Sequence, residues 1–447
     1  MIDTFRRVLA LPECARRLER IACDLAAGYG VAWVIPRHVP VSTLITAVAE
    51  ILEDRGVQVN VARMRADAPP LRHYSAWWVG HECGAGDDRA GDADSVESEF
   101  RLSRALVIDA YESGPGSSVG AQTQACAELL REWSQVSRRE CKASGICDST
   151  LLMTCDPGIT TMLEGDANVR IHWYWGFTST LALALVGQAA ADDMGLPAEA
   201  VSWMKSAGAE LAGTDVGLLD LLCRSWPVRL NSTDAGDGAG YGRTCGVGSD
   251  RGVLMQLLRE YAVGRGWTRS WLEEHMLDRT RYRPGARPRL ARPPAPSAPA
   301  PGMGMSNGPG NGLDLFREGA LDWDPDRGTL LHSAAQALLG DVEDINHRIW
   351  AGQARLLVPI LDGERLEMCK YLEANVKDWV NYCTSSNQSP LDAEFSEMYE
   401  YLKRLSTPAF ASVHSRARFL RDARNDLAHG TALNWDVFRS VLKWEDD

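Results

Sequence analysis

The sequence is most informative first in what it lacks. No uncharged apolar run reaches the roughly 18 residues of a membrane span, and charges interrupt MIDTFRRVLALPECARRLER every few residues, leaving no signal-peptide core. A cytoplasmic protein is expected, with no membrane partner. There is no paired-cysteine framework: the eleven cysteines are odd in number and scattered. His81 with Cys83 and Cys141 with Cys147 approach metal spacing, but neither has a matched second pair to complete four ligands, so buried thiols are expected and no metal. No G-x-S-x-G, H-E-x-x-H or Cys–His protease signature occurs, and no internal repeat. Positive charge is also lacking overall. The net charge of −13 does not draw nucleic acid through the whole field, so RNA contact requires a local basic patch.

What is present is ordinary for globular protein: 447 residues, 45% hydrophobic and 24% charged. That length suits about two to four domains. The clearest boundary is RPGARPRLARPPAPSAPAPGMGMSNGPGNG at 283–312, where Pro and Gly erase any apolar period and predict a linker.

Before the linker, strand-like and helix-like patterns alternate. GVAWVI (30–35), VQVNVARM (57–64), ALVIDAY (105–111), TLLMTCD (150–156) and VRIHWYW (169–175) read as strands, with helices over 41–54 and 121–137. Strands separated by helices predict a parallel α/β sheet. Residues 177–280 are mostly helical in pattern. After the linker, 313–340 reads as helix, polar turn and helix, a winged-helix-like unit. Helices are then predicted at 341–361, 363–378, 391–405, 411–429 and 434–444.

The segment after the first strand has the layout of a phosphate-binding loop without its chemistry. With Ser42 at the hydroxyl position and Thr43 beside it, Val41 stands where Lys belongs, and Pro40 and Ile35 stand where glycines belong. Asp109 ends ALVID like a Walker B carboxylate, but Ala110 follows and the next acid is Glu112. Asp156 ends the next strand. This order resembles an AAA or STAND-type NTPase core over roughly 10–230. The resemblance implies a pseudo-NTPase used for sensing or assembly, with Ser42, Thr43 and Asp109 as the degenerate nucleotide site, no cofactor and no ATP hydrolysis. An unrelated α/β domain is the alternative.

The sharper pattern is ASVHSRARFLRDARNDLAHG at 411–430. Val413, Ala417, Leu420, Arg424 and Leu427 trace one helical stripe. An Arg on an apolar stripe must be paired or functional. Asn425 and His429 are four apart and share the adjoining face, and Gly430 is a helix stop. Arg424, Asn425 and His429 resemble the R-[polar]-x-x-x-H motif of the HEPN superfamily, in its RNxLAHG form. The resemblance covers about 341–447. It implies an all-α helical bundle, a dimer that assembles the site from two motif helices, and metal-independent RNA cleavage. His429 would move the proton, Arg424 would fork onto phosphate oxygens and Asn425 would orient either one.

Lys403, Arg404, Arg416, Arg418, Arg421 and Arg424 against Asp422 and Asp426 give this region a local +4, a candidate phosphate-backbone surface. The competing reading is a solvated helix face, with Arg424 paired to a carboxylate such as Glu397 and His429 merely a cation at a helix end. Among the 15 tryptophans, Trp173 and Trp175 flank Tyr174 in a cluster suited to base stacking or, more commonly, to core packing. His332 and His347 have no ligand partners in sequence.

The expected protein has several domains: a degenerate P-loop-like α/β core (1–230), a helical lid or extension (231–282), the linker (283–312), the winged-helix-like unit (313–340) and the HEPN-like bundle (341–447). The expected function is a regulated endoribonuclease effector of an antiviral-defence or toxin type, with RNA as substrate and a regulatory partner protein. The alternative is a non-catalytic scaffold or sensor.

Overall fold

The computed structural model describes residues 2–63, 104–109, 124, 126–135, 139, 149–155, 157–174, 177–233, 249–276, 312–324, 328–385, 388–405 and 408–443. His81, Cys83, Cys141, Cys147, Asp156, Trp175 and all of the linker except Gly312 fall outside them. The chain divides into two compact units, each discontinuous. The first joins Met1–Ala182 to Trp267–His332, the second Leu183–Gly266 to Ser333–Asp447. The winged-helix-like stretch 313–340 is therefore divided after His332.

In chain order the first unit has α1 (Ile2–Leu9), α2 (Pro12–Ala26), β1 (Gly30–Val34), α3 (Val41–Glu53), β2 (Gln58–Arg63), β3 (Arg104–Asp109), helix α4 (126–135), β4 (Ser149–Cys155), α5 (Ile159–Leu163) and β5 (Val169–Trp173). The five strands form one sheet in the order β2-β3-β4-β1-β5, and every pair is parallel. All five strands lie where the sequence predicts them, four from apolar runs and β2 from alternation. β1 is buried along its whole length, which is why its sequence is an uninterrupted apolar run rather than an alternation.

Strand order has a consequence for ligands. The chain leaves β1 for β2 in one direction across the sheet, and β4 for β5 in the other. Right-handed crossovers therefore carry these neighbouring strands' connections to opposite faces. The crevice beyond Val34 and Cys155 is the topological switch point, where open parallel sheets hold ligands.

Helix α6 (Thr180–Asp193) spans the division after Ala182, so most of it belongs to the second unit. There it is followed by α7, an unbroken run of helix whose segments are Ala198–Trp203, a π turn at Met204–Gly208 and Ala209–Ala212. Next come α8 (Val216–Thr233) and α9 (Ser249–Gly264). The first unit resumes with α10 (Arg269–His275), α11 (Gly312–Arg317) and the antiparallel pair β6 (Leu321–Asp324) and β7 (Gly328–Leu331). This hairpin replaces the polar turn expected between two helices, since four-residue strands are too short to announce themselves by alternation.

The second unit then continues through α12 (Ser333–Leu339), α13 (Val342–Asn375), α14 (Trp379–Ser385), α15 (Phe395–Leu405), α16 (Ala411–Ala428) and α17 (Trp435–Lys443). It is helical among its described residues. The expected break near 362 does not occur: α13 is one helix of 34 residues. Its buried positions Leu357, Leu361, Met368 and Leu372 keep the helical stripe through Gly363. Pro359 lies on the exposed side, so the carbonyl it leaves without an N–H partner faces water.

One buried cluster organises the start of α8. Asp215, 3% exposed, accepts the N–H groups of Gly217 (2.8 Å) and Leu218 (3.1 Å) through Oδ1. Its Oδ2 accepts the Tyr261 hydroxyl (2.7 Å) and the Arg265 guanidinium (2.9 Å). Burial, with Asp215 next to it, pushes the Tyr261 hydroxyl well above the ordinary tyrosine range. Asp215→Ala removes two cap bonds and strands a half-enclosed cation. It is expected to cost about 3 kcal/mol, read as a lower midpoint in equilibrium denaturation. A midpoint unchanged within error would show the cluster to be dispensable.

Candidate functional site

Helix α16 buries Ala417, Leu420, Ala423 and Leu427. This corrects the expected stripe at one position: Ala423 takes the inward place and Arg424 lies about 100° round the helix. Steps of three then four, or four then three, both continue a helical stripe, so spacing alone leaves the two residues equivalent. The cost of desolvating a guanidinium decides between them.

The Arg424 side chain is 41% exposed and pairs with Glu394, which is 42% exposed. The pair is a fork. Nη2 meets Oε1 at 3.2 Å and Nη1 meets Oε2. The partner is thus Glu394 and not Glu397. Glu397 accepts the Glu394 N–H (2.8 Å) and the Gln388 side chain (3.0 Å), as in a capping box at the start of α15.

His429 ends α16. Asn425 and His429 are both exposed, and the His429 N–H reaches the Asn425 carbonyl (3.0 Å). Gly430 follows with φ of 78°. The Thr431 N–H bonds the Asp426 carbonyl (2.8 Å), the Schellman closure that only a residue tolerant of positive φ permits.

Buried and half-buried groups brace this turn. Trp350 Nε1 donates to the Leu427 carbonyl (2.6 Å), and Arg251 to the Ala432 carbonyl (2.7 Å). Gln353 grips Leu433 twice, donating to its carbonyl (3.1 Å) and accepting from its N–H (2.7 Å). The last turn of α16 is thus held rigidly while its polar side chains face water.

The neighbouring cations are less open than their sequence suggests. Arg416 pairs with Glu364. Arg421 bonds Asp422 (2.7 Å) and lies over the Tyr399 ring (4.3 Å). Arg418 approaches Asp422, and Lys403 approaches Glu400, each at 4.0 Å. Arg404 stands 5.7 Å from the Tyr382 ring. Adding Glu364, Glu394 and Glu400 lowers the local charge from +4 to +1. Tyr399 also stacks on His414, with ring centroids 4.7 Å apart. It joins α15 to α16 and is not a free stacking platform.

At the other candidate site, α3 begins after Pro40 with no side-chain cap. Ser42 is exposed and Thr43 half-buried in its first turn. The preceding loop has few N–H groups to offer an anion. Pro36 and Pro40 have none, the Val39 N–H bonds the Pro36 carbonyl (3.1 Å), and the Arg37 N–H bonds the Arg317 carbonyl (2.9 Å).

The chain's own turn after α11 packs here. Arg37 pairs with Glu318 (3.0 Å), and the His38 ring lies so close to Gly319 that a Cβ there would meet it at 2.1 Å. Trp267 Nε1 holds the Glu318 carbonyl (3.1 Å). Asp109 is in register with Thr154 of β4, and Thr154 with Trp33 of β1. One strand therefore separates Asp109 from β1, about 10 Å across two ladder spacings.

Trp173 and Tyr174 are core residues, against Phe316 (5.5 Å) and Phe177 (4.9 Å) respectively. His332 is buried against Trp267 and His347 lies against Trp350. Among the described residues no cluster of His, Cys, Asp and Glu suits a metal ion, and no helix is long and apolar enough to cross a membrane. Glu394 was not visible as a site residue in the sequence. Its one signal is the E-x-x-E spacing with Glu397 that starts α15.

No protein-family model matches the chain, and neither does any curated protein. Among solved structures, the chain is similar to the Thermotoga maritima RuvB Holliday junction branch migration motor at 15% identity and TM-score 0.33, over 73% of this chain and 92% of that one. It is also similar to the Aeropyrum pernix ORC2 protein in its ADPNP–ADP complexes, at 13% identity and TM-score 0.31, over 74% of this chain and 91% of that one.

Proposed function

We propose that the C-terminal helical region is a metal-independent endoribonuclease and that the sheet domain is a regulatory pseudo-NTPase. The observation that carries the first part is the end of α16, where Arg424, Asn425 and His429 reach solvent from a turn fixed by Trp350, Gln353 and Arg251. Rigid backbone with accessible polar tips is what a preorganised site requires.

In the proposed step, His429 takes the proton of a ribose 2′-hydroxyl. The 2′-oxygen bonds phosphorus as the bond to the 5′-oxygen breaks, and that leaving oxygen takes a proton from solvent water while His429 returns the one it took to solvent. Arg424 holds the phosphate oxygens as charge builds, and Asn425 orients the imidazole or the phosphate. The products are a 2′,3′-cyclic phosphate and a 5′-hydroxyl. Cleavage by the purified protein should persist in EDTA and leave cyclic 3′ ends. Products bearing linear 3′-hydroxyl ends would rule this chemistry out.

The Arg424–Glu394 pair favours a second reading, a non-catalytic interaction domain, for which no RNA is cut by any form of the protein. Under the first reading a homodimer, a regulatory partner and a defence or toxin role follow from the family resemblance alone.

For the sheet domain, the loop after β1 offers two prolines and two N–H groups already bonded within the protein. Equilibrium dialysis with ATP and magnesium is expected to show no saturable binding. Saturable, magnesium-dependent uptake would restore a working NTPase.

A further inference from the structure

We propose that the Glu394 carboxylate occupies the seat of an RNA phosphate on Arg424, and that single-stranded RNA binds by displacing it. The identity of the ligand rests on the ribonuclease reading above; the displacement rests on the geometry. Both guanidinium nitrogens that face Glu394 meet its two oxygens, the same fork that a phosphodiester takes.

The backbone beneath Glu394 is fixed. Ala393 and Phe395 on either side are buried, the Glu394 N–H is held by Glu397 (2.8 Å), and Arg365 donates to the Leu391 (2.6 Å) and Ala393 (3.2 Å) carbonyls. The carboxylate itself is 42% exposed. It can therefore turn into water by side-chain rotation alone, and water then solvates it. A half-exposed ion pair holds by a factor of only about one to five, so a phosphate in a strand that also touches Arg418 and Lys403 can win the position. Arg416, by contrast, pairs with Glu364 at a more enclosed place, where the carboxylate is only 11% exposed.

Glu394 thus covers Arg424 while no RNA is bound and is absent from the filled site, so it raises the RNA concentration needed to fill it. The test measures binding of a fluorophore-labelled single-stranded 2′-O-methyl oligonucleotide, which has no free 2′-hydroxyl to cut, by anisotropy at low salt. Glu394→Gln and Glu394→Ala should tighten binding about two- to five-fold. Glu373→Gln, an equal charge change at an exposed place on α13 away from these cations, should not. In an Arg424→Ala background, removing Glu394 should bring no gain.

With cleavable RNA, Glu394→Gln should lower KM and leave kcat unchanged. Equal or weaker binding by the Glu394 variants, or a gain that survives without Arg424, would overturn the displacement. Tighter binding with no cleavage by any variant would instead remove the ribonuclease reading and keep the displacement.

Discussion

His429→Ala is expected to lower RNA cleavage by about 10²–10⁴-fold, the usual contribution of a positioned general acid or base. Arg424→Ala is expected to lose about 10²–10³-fold, as for the removal of one oxyanion donor. Neither loss should come from unfolding. Both side chains leave the packed face of α16, where Ala417, Leu420, Ala423 and Leu427 make the core contacts. His429 is exposed beyond the last helical turn, which Gly430 closes through backbone bonds.

Arg424→Lys should recover little, because an ammonium cannot fork onto two phosphate oxygens. The measurement is single-turnover cleavage with EDTA present, beside thermal melts of each variant. Full activity in His429→Ala with an unchanged melt would locate the chemistry elsewhere or assign it to a contaminant. A paired loss in both variants, with unaltered melts, is the outcome that fits the site. The two losses should not simply add in the double variant, since both residues serve one transition state.

The second large effect concerns a helix crossing. At Gly352, α13 passes against the π turn of α7. A Cβ there would sit 2.7 Å from the backbone Cα and N of Ala207 and from the carbonyl carbon of Ser206. Backbone cannot step aside as a flexible side chain can. The π turn is itself braced, with the Ser206 hydroxyl donating to the Ser202 carbonyl at 2.8 Å. Gly352→Ala should gain about 1 kcal/mol in helix propensity and lose more to overpacking, about 1–3 kcal/mol. Gly352→Val should lose more still.

Gly363, in the same helix, meets nothing within 4 Å of its would-be Cβ. Gly363→Ala should therefore stabilise by about 0.5–1 kcal/mol. Equilibrium denaturation of the two alanine variants should give shifts of opposite sign. A stabilised Gly352→Ala would mean that the helices can separate at the crossing without cost.

Several features were legible in the sequence because they depend on local pattern. Apolar runs such as GVAWV and STLLMTC placed four strands, and the alternation of VQVNVARM placed β2. The spacing of Leu44, Val48 and Leu52 placed α3, and the sequence around Ser42 shows no Lys or glycines at the P-loop positions. The segment 411–430 announced a helix ending at Gly430 with Arg424, Asn425 and His429 on its last turns.

Tertiary structure alone decided the order of the strands, which sets β4 between Asp109 and β1. It decided that the turn at 317–319 packs on the loop after β1, that α13 continues past Pro359 and Gly363, and that Arg424 turns outward to Glu394. The physical reason is common to all four. Periodicity tells which side chains leave water, whereas their partners, and the desolvation cost that separates Ala423 from Arg424, are set only when distant segments meet.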